Sequence, residues 1–468
     1  MSASETALRA LEGAKPTPFW LDDPLRPEAL LPLAGETRSD VAIVGGGFTG
    51  LWAAIEAKER DPGRDVLLLE GGRVGWAASG RNGGFLASSL THGLENGIAR
   101  FPDEIGEIER QAADNFIGIR DALTSYGIDA EWEETAMVLL ARQPHQASWF
   151  AEAAATGARF GHELEVLDRE AVHERILRSP VYVGGLSRRG TNALVHPAKL
   201  AWGLRDAALG LGVRIFEGSP VRAIESEGTG MRLTSRGGSV HAKGVVLATN
   251  AYGPLVRQLR RRIVPVYDHV LMTEPLSVEQ RASIGWSGRE GLGDAANQFH
   301  YFRLSADDRI LWGGYDATYH FGSSVRRRFE QDDEVHGRLA EHFFETFPQL
   351  EGVRFTHRWG GAIDSSSRFS VFFGTAFDGR LAYAAGYTGL GVGATRFGAR
   401  TALDLVDGLE TERTALEMVR RKPLPFPPEP VRWLGIRAAI RAYEREDRTG
   451  ERGAWLRLLD RIGLGFQS

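Results

Sequence analysis

The 468-residue chain contains no cysteine. That excludes disulfides, thiolate metal sites, cysteine nucleophiles and any prosthetic group tethered through sulfur. Histidine is scarce, with 12 residues, and none stand at HxxxH or HExxH spacing, so no metal site is expected. The chemistry then falls to an organic cofactor. No apolar run approaches the roughly 18–20 residues that span a bilayer. The opening MSASETALRALEGAKPTPFW lacks the apolar core of a secretory signal, and a cytoplasmic protein is expected. A net charge of -5 and a pI near 6.2 give no global pull toward nucleic acid or anionic lipid. A small soluble molecule is the expected partner.

With 43% hydrophobic and 25% charged residues, the chain can bury a large core and is too long for one ordinary domain. Residues 1–37 are proline-rich and without sustained apolar period, which predicts an extended surface arm pinned by Phe19 and Trp20. The texture then changes. Val41 to Val44 reads as a short buried strand, Leu51 to Arg60 as a helix and Val66 to Glu70 as a second buried strand, together a βαβ unit. Helical periodicity from about 99 to 180 predicts an inserted second domain, and strand-like VPVYDHVLMTEPL, HYFRL and RILWGGYD resume it later. The predicted organisation is a discontinuous Rossmann-like α/β domain from 38–98, 190–260 and 356–422. A second, α+β domain on an antiparallel sheet is expected from 99–189 and 261–355, and a C-terminal tail at 423–468.

Gly45, Gly47 and Gly50 have GxGxxG spacing between a strand and a helix, where a dinucleotide fingerprint belongs. The first glycine permits the tight turn, the second lets backbone approach a pyrophosphate and the third lets helix pack on strand. The helix start offers free N–H groups and a positive dipole end. Gly46, Phe48 and Thr49 complete this loop. Glu70 lies 20 residues beyond Gly50 at the end of the next strand, where an acid accepts hydrogen bonds from ribose hydroxyls and repels a 2′-phosphate. NAD and FAD both satisfy these residues, and a turn that binds nothing is the bland alternative. GGRVGWAASGRNGGF, which follows, keeps small residues beside the second strand and favours FAD. The positions concerned are Gly71, Gly72, Arg73, Gly75, Trp76, Ala77 and Ser79, then Arg81, Asn82, Gly83 and Gly84.

The blocks VAIVGGGFTGLWAA, GRVGWAASGRNGGF, HPAKLAWGLRDAALGLGV, VVLATNAYG and GYTGLGVG occur in this order. They resemble the D-amino-acid oxidase-like (DAO) superfamily of FAD oxidoreductases over roughly 38–425. Within it the chain is most similar to the γ-glutamylputrescine oxidoreductase and aminophosphonate oxidoreductase branch. The resemblance implies a substrate domain whose antiparallel sheet roofs the flavin ring. It implies that backbone at Val221 meets the adenine and that Thr249 and Asn250 end a strand beneath the pyrophosphate. Gly386, Tyr387, Thr388, Gly389, Leu390, Gly391 and Val392 would pass the pyrimidine edge. A helix start preceded by glycines suits negative charge on that edge. The alternative, a second nucleotide site at Gly389 and Gly391, lacks a second strand ending in an acid about 20 residues on.

The implied activity is oxidation of an amine carbon–nitrogen bond, by loss of a hydride to non-covalently bound FAD, giving an imine that hydrolyses to aldehyde or keto acid. Candidate residues for substrate are Arg81, Tyr301, Tyr315 and Arg358, with Arg303, Asp316 and Trp359 in the same segments. Arginine or tyrosine suits an anionic or polar substrate tail, although aromatic residues on strands are usually core and arginines usually solvated. Two departures bear on oxygen reactivity. Leu311 and Trp312 occupy the strand where sarcosine oxidases carry an oxygen-assisting lysine, and Leu390 stands where several relatives have histidine. Oxygen is the expected acceptor, helped by positive charge at Arg81. The alternatives are a dehydrogenase passing electrons to a quinone or protein, a flavin sensor without turnover, and an NAD-binding regulator. From Arg420 onward eleven Arg and Lys face six Asp and Glu. VRWLGIRAAIRAYERE and AWLRLLDRIGLGF are amphipathic, expected to fold back on the body, with a membrane surface or partner protein as alternatives.

Overall fold

A computed structural model of the chain describes residues 4–253 and 255–464. Four consecutive apolar residues, Val41 to Val44, are all shielded from water, as a strand covered on both faces requires. Their strand, Gly35–Val44, lies parallel between Gly238–Leu247 and Val66–Leu69, with Val44 opposite both Leu247 and Leu69. Arg214–Phe216 extends the parallel set beyond Val66–Leu69, and Leu381–Ala385 joins Gly238–Leu247. Val221–Glu227 and Gly230–Ser235 add an antiparallel hairpin, and Phe372–Ala376 pairs with Leu381–Ala385. The parallel strands end together at Val44, Leu69, Leu247 and Ala385, so the residues that follow share one edge, where such sheets place their ligands.

One face of this sheet packs on helices Phe48–Arg60, Pro197–Gly210, Gly391–Val406 and Ile105–Ser125. The last of these corrects the expected division. Ile108, Ala112, Phe116, Ile119 and Leu123 form an apolar stripe buried in the core of the parallel sheet. Burying large apolar side chains contributes about 1.5–3 kcal/mol each. Asn115 also donates to Gly393 O at 2.7 Å, which ties the helix to Gly391–Val406 rather than to the second sheet.

The second sheet has nine strands. In order they are Thr318–Tyr319, Val264–Thr273, Ile310–Gly314, His300–Leu304, Gly291–Asp294, Met137–Ala141, Gly184–Arg189 and Glu163–Asp168, with Phe355–Ser365 also on Val264–Thr273. All pairs are antiparallel except Gly291–Asp294 with Met137–Ala141. The expected boundary at 356 is therefore corrected too: Phe355–Ser365 pairs along the whole of Val264–Thr273, and the chain returns to the parallel sheet after it. Helix Asp333–Thr346 covers the outer face, seating Val335, Leu339 and Phe343 against Leu271, Phe302 and Trp312.

Neither end of the described chain lies loose on the surface. The N-terminal arm forms helix Glu5–Leu11 and a turn at Phe19–Leu21, and Trp20 is fully buried with its Nε1 donating to Asn82 O at 2.9 Å. The expected surface arm is thus an internal strut, because Trp20 finds an apolar socket of Val270, Met272, Leu311 and Trp359. Helices Val431–Thr449 and Ala454–Arg461 fold back on the body. Asp447 accepts from Asn297 N at 2.8 Å, Asn297 Nδ2 at 2.7 Å and Gln298 N at 2.8 Å. Gly465 and Phe466, the end of the expected tail helix, lie outside the described residues. Among the described residues, no helix is long and apolar enough to cross a membrane.

Candidate functional site

The turn after Val44 requires glycine at two positions. Gly45 has φ +112, and a Cβ there would sit 2.4 Å from Ala248 O; at Gly50 it would sit 1.9 Å from Gly45 O. Helix Phe48–Arg60 therefore starts close beneath the turn, with Gly47 as its N-cap and no capping side chain of its own. Ser79 Oγ reaches in from the next loop and accepts from Phe48 N at 2.9 Å. Thr49 donates to Tyr387 OH at 2.9 Å, joining this helix to the GYTGLG loop.

Glu70 is buried at the end of Val66–Leu69. It accepts from Gly46 N at 2.7 Å, Gly72 N at 2.6 Å and Trp76 Nε1 at 2.8 Å. Burial pushes its carboxyl above the ordinary range, against the pull of these donors. Three donors leave about one of the four acceptor positions of a carboxylate open, which fits a ribose hydroxyl. Gly71, Val221 and Thr249 line the same cavity beside it.

Other named residues are structural. Gly72, Gly75 and Gly84 sit where a Cβ would meet Trp76, Ala201 and Val195 O at 2.8, 2.8 and 2.1 Å. Arg73 turns away to Glu217 Oε2 at 3.1 Å. Asn82 spends its side chain on the loop, donating to Ala78 O at 2.9 Å and accepting from Gly84 N at 2.8 Å. Ala77 and Gly83 face the cavity, and Gly83 lies against the Tyr301 ring, 2.8 Å from where a Cβ would stand.

A buried acid that sequence reasoning missed organises the far side. Asp364 accepts from Gly386 N at 2.6 Å and Asn250 Nδ2 at 3.1 Å. Its carbonyl accepts from Thr388 N at 3.1 Å. Asn250, Gly386 and Thr388 all have positive φ, so one residue holds three unusual backbone positions together. Burial pushes Asp364 up to about 7. The only signal in the sequence is one acid inside the strand RWGGAIDS. Beyond it, Gly391–Val406 begins at Leu390 without a side-chain cap, and Gly389, Leu390, Gly391 and Val392 line the cavity. Free first-turn N–H groups there suit an electron-rich ring edge.

The second sheet closes the cavity from above. Val266, Asp268 and Val270 alternate onto its cavity face, opposite Ile363, Gly361 and Trp359 in register. Tyr301 joins them and donates to Asp268 Oδ2 at 2.5 Å. Asp268, the second acid missed from sequence, is pushed up to about 6 by burial. Its signal was one acid at the inward phase of the apolar strand VPVYDHVLM. Arg81 donates to Trp76 O at 2.8 Å and Gly360 O at 3.1 Å and pairs with Glu330 at 2.7 Å. Its charge is therefore compensated. Tyr315 lines the cavity at φ +67, its ring stacked on His300 with centroids 5.1 Å apart.

Arg358 does not reach the cavity. It stands opposite Leu271 on the other phase of its strand and pairs with exposed Asp333 at 2.6 Å. Arg303 is buried against Val195 O at 2.7 Å, where burial lowers it to about 10. Asp316 pairs with Arg338 at 2.8 Å. Leu311 and Trp312 are fully buried.

The cavity measures about 1470 Å³, beyond the roughly 300–1,000 Å³ of an ordinary small-molecule pocket. A dinucleotide and a substrate fit together. The glycine turn, Glu70, the uncapped start of Gly391–Val406 and the backbone at Gly71 and Val221 together suit FAD.

Comparison with known proteins agrees. Residues 40–405 match the family profile described as FAD dependent oxidoreductase, DAO. The γ-glutamylputrescine oxidoreductase of Escherichia coli is 32% identical over 384 residues, covering 79% of this chain and 84% of that protein. A probable oxidoreductase OrdL of Haemophilus influenzae is 28% identical over 428 residues, covering 89% and 94%. Among solved structures, glycine oxidase from Geobacillus kaustophilus superposes with TM-score 0.69 at 21% identity, covering 82% of this chain and 99% of that one. L-proline dehydrogenase from P. horikoshii gives TM-score 0.65 at 16% identity, covering 83% and 96%.

Proposed function

The chain belongs to the DAO family of FAD-dependent oxidoreductases, in the branch that includes γ-glutamylputrescine oxidoreductase, and from that premise we propose that it oxidises the carbon–nitrogen bond of a small primary or secondary amine. FAD is its cofactor. The observation that carries the reading is one continuous cavity joining the dinucleotide turn at Gly45 to the Asp268–Tyr301 face of the second sheet.

Bound FAD supplies an acceptor for two electrons and the hydrogen of the substrate carbon next to nitrogen. The chain's residues do the rest. In this reading the turn at Gly45–Phe48 and Ser79 hold the pyrophosphate, Glu70 the ribose and the Val221 backbone the adenine, all without a covalent link. The helix start at Gly391 places a positive dipole end where negative charge develops. Tyr301, Asp268 and Trp359 shield and orient the amine, and water hydrolyses the released imine to aldehyde or keto acid. The parallel-sheet unit acts as the cofactor domain and the nine-stranded sheet as the substrate domain.

Oxygen is the acceptor in the first reading. A second, an amine dehydrogenase using a quinone or protein acceptor, gains support from the Arg81–Glu330 pair, which neutralises the charge that would favour oxygen reduction. Anaerobic reduction across polyamines, N-methyl amino acids, D-amino acids and aminophosphonates tests the reaction class. Bleaching of the flavin absorbance by an amine is expected; bleaching by hydroxy acids alone overturns the reading, and bleaching by chemical reductants alone leaves a flavin sensor. Stopped-flow mixing of reduced enzyme with oxygen then separates oxidase from dehydrogenase.

A further inference from the structure

Two parts of the cavity narrow the substrate further than this reading does. The first is the acid. Asp268 is only half-buried by surface because it faces the cavity, yet among the described residues no lysine or arginine pairs with it. Its donors are the Tyr301 hydroxyl and the backbone N–H groups of His269 and Gly314. Gly361, directly opposite in the ladder, adds no side chain beside it, and the Arg81 chain packs against that glycine. A deep carboxylate without a cation is costly until a donor or a cation reaches it. The basic groups nearby offer no matching anchor for an anion: Arg81 is closed by Glu330, Arg432 donates to Ser323 Oγ at 2.6 Å and Pro427 O at 3.0 Å, and Arg260 is exposed at the rim.

The second part is the C-terminal helix pair. Ile436 and Ile440 of Val431–Thr449, one turn apart, and Leu459 and Ile462 at the end of the chain's last helix line the same cavity as Asp268. Among the described residues of these helices only Arg432 and Leu456 are fully buried, so the apolar stripe is turned to the cavity without being consumed by packing. The arginines at 437, 441, 445 and 448 stand on the same helix as Ile436 and Ile440. Polar latches hold this orientation: Asp447 on Asn297 and Gln298, and Glu429 on Gly322 N at 3.1 Å.

We propose that the substrate is an amine with an extended apolar body, its nitrogen donating to Asp268 beside Tyr301 and its body enclosed by Ile436, Ile440, Leu459 and Ile462. The inference rests on the amine-oxidoreductase reading and narrows it, replacing the anionic or polar tail expected from sequence. Asp268 acts here as a binding residue, since an amine brings an N–H donor for the roughly one acceptor position its three donors leave open, and the helix pair sets specificity.

The test is titration of the FAD-loaded enzyme with n-heptylamine, 1-heptanol, n-propylamine and putrescine, monitored by perturbation of the flavin absorbance. Heptylamine is expected to bind at least about tenfold tighter than propylamine or putrescine, since a methylene in a matched pocket is worth about tenfold or more. Asp268→Asn should weaken heptylamine at least about tenfold and leave heptanol within about twofold. Ile440→Asn should weaken both heptyl ligands and spare propylamine. Equal losses of amine and alcohol in Asp268→Asn would make that residue merely structural and overturn the proposal. Putrescine binding as tightly as heptylamine, or an Ile440→Asn enzyme that keeps its preference, would overturn it as well. If heptylamine binds as expected but no amine reduces the flavin, the oxidation reading fails and the binding inference stands. If putrescine reduces the flavin and outcompetes heptylamine, the reverse holds.

Discussion

Asp364 is 1% exposed and holds Gly386 N and Asn250 Nδ2 in one knot beneath the cofactor site. Burial raises its carboxyl from 3.8 to about 7, while the N–H groups of Gly386 and Tyr387 only partly oppose the rise. Between those values the folded protein retains a proton that the unfolded chain has released. The contribution of this group is therefore complete below about pH 4 and lost as pH rises through about 7. At about 1.36 kcal/mol per pH unit, the gap amounts to about 4 kcal/mol. Asp364→Asn keeps the shape and an acceptor oxygen but cannot ionise, so it escapes that loss. With an unfolding entropy of about 2.1 cal/mol/K per residue, a chain of 468 residues moves its Tm by about 1 °C per kcal/mol. Thermal melts of the FAD-free wild type and variant should show the variant gaining about 3 °C relative to wild type between about pH 4.5 and pH 8.5, since about 2.5 of the pH units lie in that window. A difference constant to within about 1 °C would mean that Asp364 ionises in its ordinary range when folded, and the reasoning would fail.

The purified protein should be yellow and release intact FAD on acid or heat denaturation, because the chain has no cysteine to tether it; a colourless protein that takes NAD instead would refute this. Gly45→Ala and Gly50→Ala place a Cβ 2.4 Å from Ala248 O and 1.9 Å from Gly45 O, and each should purify with at least about tenfold less bound FAD. Glu330→Gln removes the charged partner of Arg81, 2.7 Å away, and should speed reoxidation of the reduced enzyme by oxygen about tenfold in stopped flow; an unchanged rate would remove Arg81 from the oxygen step. Asp447→Ala deletes the acceptor for Asn297 and Gln298 and should speed tryptic cleavage within 431–461 at least about tenfold while FAD content holds, whereas unchanged cleavage would show that other contacts latch the helices.

Residues whose role is set by their neighbours along the chain can be read from the sequence alone. Gly45 to Gly50 announce a turn between strand and helix because the steric demand is local, and Glu70 follows at the distance one helix and one strand impose. Arg358 and Asp268 are not legible in that way, for a shared reason. Both lie on strands of the second sheet, where the phase of alternation decides which face a side chain meets, and a single strand does not reveal which phase points inward. Arg358 falls opposite Leu271 and turns out; Asp268 falls opposite Gly361 and turns in. Helix Ile105–Ser125 is readable as amphipathic, but its partner is not, since an apolar stripe carries no address until Gly393 accepts from Asn115.

The ends of the chain look like appendages in sequence for the same reason. Trp20 and the stripe at Ile436 and Ile440 lie in short terminal segments whose apolar partners are far away in sequence, so locally they resemble exposed anchors. Their sockets come from segments more than a hundred residues away, Val270 and Trp359 for Trp20, Asn297 and Gln298 for the tail. Both ends thereby meet the second sheet, Trp20 through Val270 and Trp359 with its Nε1 on Asn82 O, the tail through residues that line the cavity. An enclosure assembled from both ends can change its lining without disturbing the Gly45 turn or Glu70, because the donors to Glu70 are Gly46, Gly72 and Trp76, all local to the turn and its following loop. In the proposed reading, substrate choice can therefore vary through the tail outside residues 40–405 while the Gly45 turn and Glu70 stay as they are.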